Sequence, residues 1–221
     1  MLSDLQQRVA LLFSDLPEAE PFVLAGGAAL IVRGDVDRLT RDLDFFGLAP
    51  GDVDRVVPVF EAGLRAAGMT CERRQSAPGF ARLVVSDGRE QTEVDVGADA
   101  RLLPVEASRY GPVLSAEELA VDKVLAIFGR AEPRDFVDLS ALEPRFGLAH
   151  LCQLAAEKDL GFQPDVLRDM LGRFDRRPRD EFDMDAIAFD GLGASVDRWR
   201  DELESLVRHV DPPDLGLDLG L

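Results

Sequence analysis

Apolar residues recur at helical spacing near the start of the chain and then give way to short strand-like runs. Leu5, Val9 and Leu12 lie three or four residues apart, which predicts a helix over residues 4–14. The run "PFVLA" predicts a short buried strand, and "AALIVRG" predicts a short helix that ends at Gly34. The segment "RDLDFF" alternates charged and apolar residues, which is typical of a strand with two different faces.

A helix and a hairpin are predicted next. "DVDRVVPVFEAGLRAAG" has a helical pattern with an interruption at Pro58 and a stop at Gly68. "ARLVVSDG" and "QTEVDVGA" predict two strands joined by a turn at Asp87-Gly88. Together these elements predict an α/β (α+β) core, a small mixed sheet with helices, over residues 1–110.

Beyond residue 110 the pattern becomes helical. Ser115 followed by Glu118 resembles a capping box that begins a helix running to about Gly129, and Pro133 begins another helix. The remaining predicted elements are helices over 147–160, 164–173 and 194–209 and an irregular tail over 211–221. We therefore expect residues 111–221 to form a helical region that closes one side of a cleft.

The segment "RDLDFF" places two like charges close together. Because side chains alternate along a strand, Asp42 and Asp44 share one face, about 7 Å apart, while Leu43 points into the sheet. Two carboxylates at that distance repel each other unless a positive charge lies between them. Mg²⁺ takes oxygen ligands and commonly combines one or two protein carboxylates with substrate phosphates. The spacing therefore favours a divalent cation and phosphoryl chemistry.

The glycine pair upstream fits the same chemistry. Gly26 and Gly27 have no side chains, so a phosphate can approach their backbone closely, and they precede a predicted helix whose N-terminus attracts anions. Arg38 supplies positive charge, and Thr40 supplies a hydroxyl. A Gly-Gly turn or a D-x-D pair alone is weak evidence for a phosphate-binding site. Much more specific evidence is their combination in one order, in which a strand, the Gly-Gly pair and a helix are followed by a strand with the pattern R-x-T-x-D-x-D.

The stretch "GGAALIVRGDVDRLTRDLDFF" resembles the first motif of the nucleotidyltransferases of the DNA polymerase β superfamily, and in particular of the AbiEii/AbiGii toxin nucleotidyltransferase family. Ala28 departs from that family's pattern, where a hydroxyl residue is common. "DKVLAIFGRAEPRDFVDL", residues 122–139, resembles the later motifs K-x-x-A and R-D-x-x-D-L. The resemblance covers residues 22 to about 142.

The resemblance implies further site residues. A third carboxylate is expected on a neighbouring strand, and Asp95 in "TEVDVG" is a better candidate than Glu93, although a solvent-facing acid on an edge strand is the alternative. Lys123 is expected to bind triphosphate or a carboxylate, unless it extends along the apolar stripe to solvent. Asp135 is expected at the site ahead of Asp138, whose alternative is a surface ion pair with Arg134.

The activity implied is transfer of a nucleoside monophosphate from a nucleoside triphosphate to an acceptor, with release of pyrophosphate. Mg²⁺ or Mn²⁺ is the implied cofactor, and transfer RNA, modified at its 3′ end, is the favoured acceptor. A cognate antitoxin protein is the implied partner. The implied catalytic residues are Asp42, Asp44, Asp95, Lys123 and Asp135; the metal ligands are Asp42, Asp44 and Asp95; the nucleotide-binding residues are Gly26, Gly27, Arg38, Thr40 and Lys123.

Charge keeps two other functions open. The formal net charge of −17 repels nucleic acid over most of the surface, and the densest basic run is "RFDRRPRD", residues 173–180. An acidic cleft suits a polycationic small molecule, so an aminoglycoside-type nucleotidyltransferase is one alternative, and a catalytically inactive binding module of the same fold is another. The absence of a signal-like start or a long apolar run, with two isolated cysteines, predicts a cytoplasmic protein without a membrane span.

Overall fold

A computed structural model of the chain describes residues 1–208. The chain divides into two compact units, Met1–Asp122 and Lys123–Leu221, and the division falls within one helix. The described helices are α1 (Asp4–Ser14), α2 (Gly26–Arg33), α3 (Pro50–Ala66), α4 (Ala116–Gly129), α5 (Pro133–Phe146), α6 (Leu148–Lys158), α7 (Pro164–Leu171) and α8 (Ala186–Arg208). The described strands are β1 (Val23–Ala25), β2 (Asp42–Gly47), β3 (Thr70–Ala77), β4 (Phe80–Ser86), β5 (Gln91–Ala98), β6 (Glu106–Ser108) and β7 (Gly111–Val113). Short 3-10 turns occupy Pro17–Ala19, Phe174–Arg176 and Arg179–Phe182.

The first unit contains one mixed sheet. Its strand order is β3-β4-β5-β2-β1-β7-β6. The central strands β2 and β5 pair in parallel, while β1 lies antiparallel to β2 on the other side. The predicted hairpin is confirmed, because β4 and β5 pair antiparallel from Phe80 opposite Gly97 to Ser86 opposite Gln91. The two strands that carry the predicted carboxylates are therefore neighbours in the middle of the sheet.

One face of this sheet forms the core of the first unit. Leu43 and Phe45 of β2 point to that face and are buried, as the alternation in "RDLDFF" predicts. The Phe45 ring stacks on Phe13 of α1 with centroids 4.0 Å apart, and Phe60 of α3 meets Phe13 edge to face. Burial of these rings fixes which face of β2 is apolar, so the aspartates of the same strand are forced onto the opposite face.

The second unit is helical. Its described core includes Trp199 of α8, which is fully buried, and α8 packs against α5, α6 and α7. The same unit contains a cluster of four aromatic rings, which consists of Phe136, Phe174, Phe182 and Phe189. Glu143 of α5 is buried and accepts hydrogen bonds from Arg198 of α8. The predicted helices of this region are confirmed as far as residue 208, except that the helix predicted to begin at 194 begins at Ala186 as α8. The predicted tail over 211–221 lies outside the described residues.

The structure differs from the sequence predictions at several places in the first unit. Pro58 does not interrupt its helix, which runs unbroken as α3. Gly26 and Gly27 do not precede α2 but form its first turn. The strands β3, β6 and β7 were not predicted, because β3 is polar and exposed along nearly all its length and the other two have three residues each.

The start of α4 is only partly the predicted capping box. The Ser115 hydroxyl accepts a hydrogen bond from the Glu118 N–H at 3.2 Å, as expected of an N-cap. The buried Glu118 carboxylate accepts from the N–H groups of Leu102 and Leu103, at 3.1 and 2.8 Å to Oε2. It therefore anchors the segment before β6. Within residues 1–208, no helix has both the length and the hydropathy needed to cross a membrane.

Candidate active site

The glycine turn and the first D-x-D strand meet at Gly26. This residue has a φ of +59°, and β1 pairs with β2 so that Ala25 lies opposite Asp44. A Cβ atom built on Gly26 would lie 1.9 Å from Oδ2 of Asp44. The Asp44 carboxylate therefore occupies the space that any side chain at Gly26 would need, in direct contact with the backbone at the start of α2.

Gly27 is lined by cationic and hydroxyl groups. A Cβ atom built there would lie 2.8 Å from Nη2 of Arg38 and 3.2 Å from Oγ1 of Thr40. The Thr40 hydroxyl donates to Oδ1 of Asp42 at 2.7 Å, which fixes the orientation of that carboxylate. The structure thus brings together all of the predicted nucleotide-binding residues of the first unit at one helix N-terminus, an arrangement suited to phosphate oxygens.

Four carboxylates lie on one face of the sheet. The parallel register places Asp42 opposite Glu93 and Asp44 opposite Asp95. Since the neighbouring residues Leu43 and Val94 are buried on the core face, all four acids share the other face. Asp95 is buried on a strand with neighbours on both sides, so the alternative of a solvent-facing acid on an edge strand is wrong.

Arg82 of β4 is a site residue that the sequence reasoning missed. Its Nε and Nη2 atoms donate to the two oxygens of Asp95 at 2.7 and 2.6 Å, and Nε lies 3.6 Å from Glu93. The hydrogen bonds to Asp95 raise the pKa of Arg82 further above its ordinary value, so the group stays charged. The contact follows from the hairpin register, in which the four-residue connection between β4 and β5 pairs Arg82 with Asp95; the predicted two-residue turn at Asp87-Gly88 would have paired it with Glu93.

Gln6 of α1 holds the loop that carries Thr40. Its side-chain amide donates to the Thr40 carbonyl at 3.1 Å and to the Thr92 hydroxyl at 3.3 Å. The Thr92 hydroxyl in turn donates to the Arg41 carbonyl at 3.1 Å. Both polar side chains are buried, so the backbone leading into Asp42 is fixed from the core side.

The donor set partly fits a divalent cation. Asp42 and Asp44 present carboxylate oxygens on one face, which is the chemistry that Mg²⁺ or Mn²⁺ requires. Both oxygens of Asp95 are engaged by Arg82. Among the described residues, no three His, Cys, Asp or Glu side chains converge closely enough to hold a metal ion. Asp42 and Asp44 can therefore coordinate the ion as they stand, and Asp95 can do so only after Arg82 moves.

Lys123 and Asp135 belong to a buried charge cluster in the second unit. The Lys123 ammonium lies 2.8 Å from Asp138 and 3.4 Å from Asp135, so the alternative of a lysine extending to solvent is wrong. Asp138 is fully buried, which excludes an acid at the surface. Burial alone would raise the pKa of Asp135, but hydrogen bonds from Arg130 and the charge of Lys123 outweigh it, and the pKa is lowered.

A mixed sheet that carries a Gly-Gly helix start beside a D-x-D strand defines a nucleotidyltransferase fold. The chain resembles MenT4, a nucleotidyltransferase toxin from Mycobacterium tuberculosis H37Rv, with a TM-score of 0.57 and 19% identity over 90% of this chain and 82% of that one. A provisionally assigned nucleotidyltransferase from H. pylori matches with a TM-score of 0.50 and 20% identity over 90% of this chain and 93% of that one. At such identities the likeness concerns the fold.

Sequence comparison identifies the family. The model described as "Nucleotidyl transferase AbiEii toxin, Type IV TA system" matches residues 10–216. The chain belongs to this family of toxin nucleotidyltransferases from toxin–antitoxin systems. The sequence matches no curated protein. Membership makes the chain a nucleotidyltransferase and implies a nucleoside triphosphate substrate and an antitoxin partner.

Proposed function

We propose that this toxin transfers a nucleoside monophosphate from a nucleoside triphosphate to an RNA acceptor, with the 3′ end of transfer RNA as the favoured target. The observation that carries the proposal is the contact between the Asp44 carboxylate and the bare backbone of Gly26, in register with Asp95. A phosphate group bound at the glycine turn would lie directly beside the acidic face. Phosphoryl transfer depends mainly on such positioning and charge stabilisation.

In this proposal the triphosphate binds at the start of α2. Backbone N–H groups of the first turn and the helix dipole attract its oxygens. Arg38, which lines Gly27, supplies a guanidinium for the same phosphates, and the Thr40 hydroxyl can donate to them when it is released from Asp42. Gly26 leaves room for the Asp44 carboxylate at the start of α2, which keeps that acid beside the N–H groups that would bind the phosphates.

Asp42 and Asp44 would hold Mg²⁺ or Mn²⁺, which when bound neutralises phosphate charge and lowers the pKa of a coordinated hydroxyl. Asp95 is the proposed acceptor-side carboxylate, which accepts the proton of the attacking hydroxyl. Arg82 donates two hydrogen bonds to Asp95. When one of them is released, the Arg82 guanidinium can bind a phosphate oxygen of the substrate.

Lys123 and Asp135 stay in the proposal as residues that transfer requires. Their support is the family motif over 122–139, together with the buried cluster that they form with Asp138. Lys123→Met would leave two buried carboxylates without their shared cation. We expect it to abolish transfer, whereas Lys158→Met, a change at a half-buried lysine at the end of α6, should retain it.

The acceptor is tested by supplying each candidate separately. Purified protein is incubated with each of the four α-labelled nucleoside triphosphates, Mg²⁺, and either transfer RNA, transfer RNA with an oxidised 3′ end, or a panel of aminoglycosides. We expect label on intact transfer RNA only. Label on an aminoglycoside would favour the alternative that the net charge of −17 supports, and no label on any acceptor would favour a binding module.

The same assay tests the remaining parts of the proposal. Chelation of divalent cations should stop labelling, and Mg²⁺ or Mn²⁺ should restore it. Co-expression with the cognate antitoxin should relieve growth arrest in the cytoplasm, where nucleoside triphosphates and transfer RNA are present. Growth arrest that survives Asp44→Asn would contradict a catalytic mode of toxicity.

A further inference from the structure

Two rows of side chains cross the strands β2, β5 and β4 on the acidic face. The first row consists of Asp44, Asp95 and Arg82, and the second row consists of Phe46, Gly97 and Phe80. Adjacent rows are one pleat apart, about 7 Å along the strands. We call the second row the aromatic platform. It lies next to the carboxylates but takes no part in the chemistry proposed above.

The platform is built around a glycine. A Cβ atom on Gly97 would lie 2.8 Å from Cε1 of Phe46 and 3.4 Å from Cδ2 of Phe80. Both rings therefore lean over the bare backbone of β5 from the two neighbouring strands, and both are partly exposed. A strand glycine commonly marks a place where another group approaches the sheet closely.

Arg82 connects the platform to the carboxylates. Its guanidinium carbon lies 5.9 Å from the centroid of the Phe80 ring, while its nitrogen atoms donate to Asp95. A cation at this distance interacts favourably with the aromatic face. The platform thus has a guanidinium at its edge, which can bind a phosphate oxygen when a hydrogen bond to Asp95 is released.

The platform lies on the acceptor side of the site. The glycine turn that would bind triphosphate leads from β1 into α2, and β1 flanks β2 on one side. The strands β5 and β4 flank β2 on the other side. A ligand on the platform and a triphosphate at Gly26 would therefore approach Asp44 from opposite directions, as the two substrates of a transfer reaction must.

We propose that the aromatic platform stacks an unpaired nucleobase at the end of the RNA acceptor and so places its terminal hydroxyl near Asp95. This inference rests on the proposed function and narrows the acceptor to a single-stranded terminus. Stacking on an aromatic side chain tolerates any base, because every base has a π-face. Contact with the phosphate backbone falls to Arg82.

Binding of two RNA probes tests the proposal without catalysis. The first probe is a short labelled stem with a single-stranded 3′ end that terminates in adenosine, and the second is identical except for an abasic terminal residue. Without nucleotide or metal, we expect the wild-type protein to bind the first probe about tenfold more tightly by fluorescence anisotropy. Equal binding of the two probes by the wild-type protein would overturn the platform before any variant is made.

Leucine substitutions locate the effect. Phe46→Leu and Phe80→Leu keep apolar volume but remove the π-face, and each should reduce the tenfold preference to less than threefold. Phe146→Leu is the matched control, because Phe146 also lies under an arginine, with Arg145 5.2 Å from its centroid, but on α5 of the second unit. It should keep the full preference. Circular dichroism and thermal unfolding confirm that each variant is folded.

The outcomes separate this inference from the proposed function. The protein could transfer label to transfer RNA while its RNA binding is unaffected by loss of the terminal base or by the Phe46 and Phe80 substitutions. That result would overturn the platform and leave the proposed function supported. Base-dependent binding that requires both rings, with no label transfer to any RNA, would support the platform and overturn the proposed reaction.

Discussion

Replacing Gly26 with alanine perturbs the candidate site at its tightest contact. Gly26 has a left-handed φ of +59°, and its missing side chain makes room for the Asp44 carboxylate. Alanine would place a methyl group 1.9 Å from Oδ2 of Asp44. Since nonbonded contacts of a carbon atom are about 3.5–4.0 Å, either the carboxylate or the start of α2 must shift by roughly 1.6–2.1 Å.

The left-handed backbone at Gly26 and the displacement beside Asp44 set the expected losses of stability and of transfer rate. The left-handed backbone costs alanine about 1–2 kcal/mol, so the free energy of unfolding should fall by about that amount. A displacement of about 1 Å at a reacting group costs about 100-fold in rate. We therefore expect Gly26→Ala to remain folded and to lose at least about 100-fold in nucleotide transfer.

Gly27→Ala is the matched control. Its new methyl group meets the ends of the flexible Arg38 and Thr40 side chains at 2.8 and 3.2 Å, and these can move aside. Transfer should fall by less than about tenfold, since the Asp44 carboxylate is untouched and the change reaches Asp42 only through the Thr40 hydroxyl that donates to it. Both variants are compared by the rate of label transfer and by urea unfolding. Equal activity of Gly26→Ala and the wild type, in folded protein, would refute the role assigned to the Gly26–Asp44 contact.

Three further predictions concern other parts of the chain. Because folding lowers the pKa of Asp135, its ionised carboxylate stabilises the fold above the unfolded pKa of about 3.9, and this stabilisation is lost as pH falls through the folded pKa. Asp135→Asn should therefore lower the free energy of unfolding by about 3 kcal/mol at pH 7. Urea unfolding measured against pH tests this, and the same acid-induced loss of stability in the variant and the wild type would contradict it. Burial, with the charge of Glu202, raises the pKa of the Cys152 thiol to about 12, whereas the pKa of the half-buried Cys71 is raised less. At pH 8 a thiol reagent should therefore modify Cys71 first and Cys152 only after unfolding. Simultaneous modification of both cysteines would count against the described core. Reversing the exposed charges of Arg176 and Arg179 should weaken RNA binding and reduce its salt dependence together, and unchanged binding would remove this basic run from the interface.

The strand that carries the two aspartates was predictable from its alternation. Leu43 and Phe45 bury one face, so Asp42 and Asp44 must share the other, and period-two spacing alone is enough to place them. The helix end at Gly34 was equally accessible, because the residue adopts a left-handed φ of +79° that favours glycine. Local rules of this kind need no knowledge of the rest of the fold.

The pairing of Arg82 with Asp95 was harder to predict. It depends on the register of a hairpin whose four-residue connection, from Asp87 to Glu90, is longer than the predicted Asp87-Gly88 turn. The strand β3 was missed for another reason, since an edge strand with polar residues on both faces has no hydrophobic period. In both cases the prediction required knowing how the strands pair in the folded protein.

The cluster around Lys123 illustrates the same limit. Helical spacing placed Lys123 in an apolar stripe and put Asp135 and Asp138 on one helical face. That the second helix would bury both acids against the lysine, with Arg130 closing the group, follows only from the packing of α4 against α5. An isolated lysine in an apolar stripe gives the same sequence signal whether it reaches solvent or a buried carboxylate.

The most direct test is nucleotide transfer by Asp44→Asn. The substitution keeps the shape of the side chain that packs on Gly26 and removes one negative charge from the acidic face. Asp54→Asn, an exposed change of the same chemistry on α3, is its control. We predict that Asp54→Asn transfers label to transfer RNA at the wild-type rate and that Asp44→Asn, folded and equally stable, loses at least about 100-fold. Transfer by Asp44→Asn within threefold of the wild-type rate would contradict a nucleotidyltransferase site built on this strand.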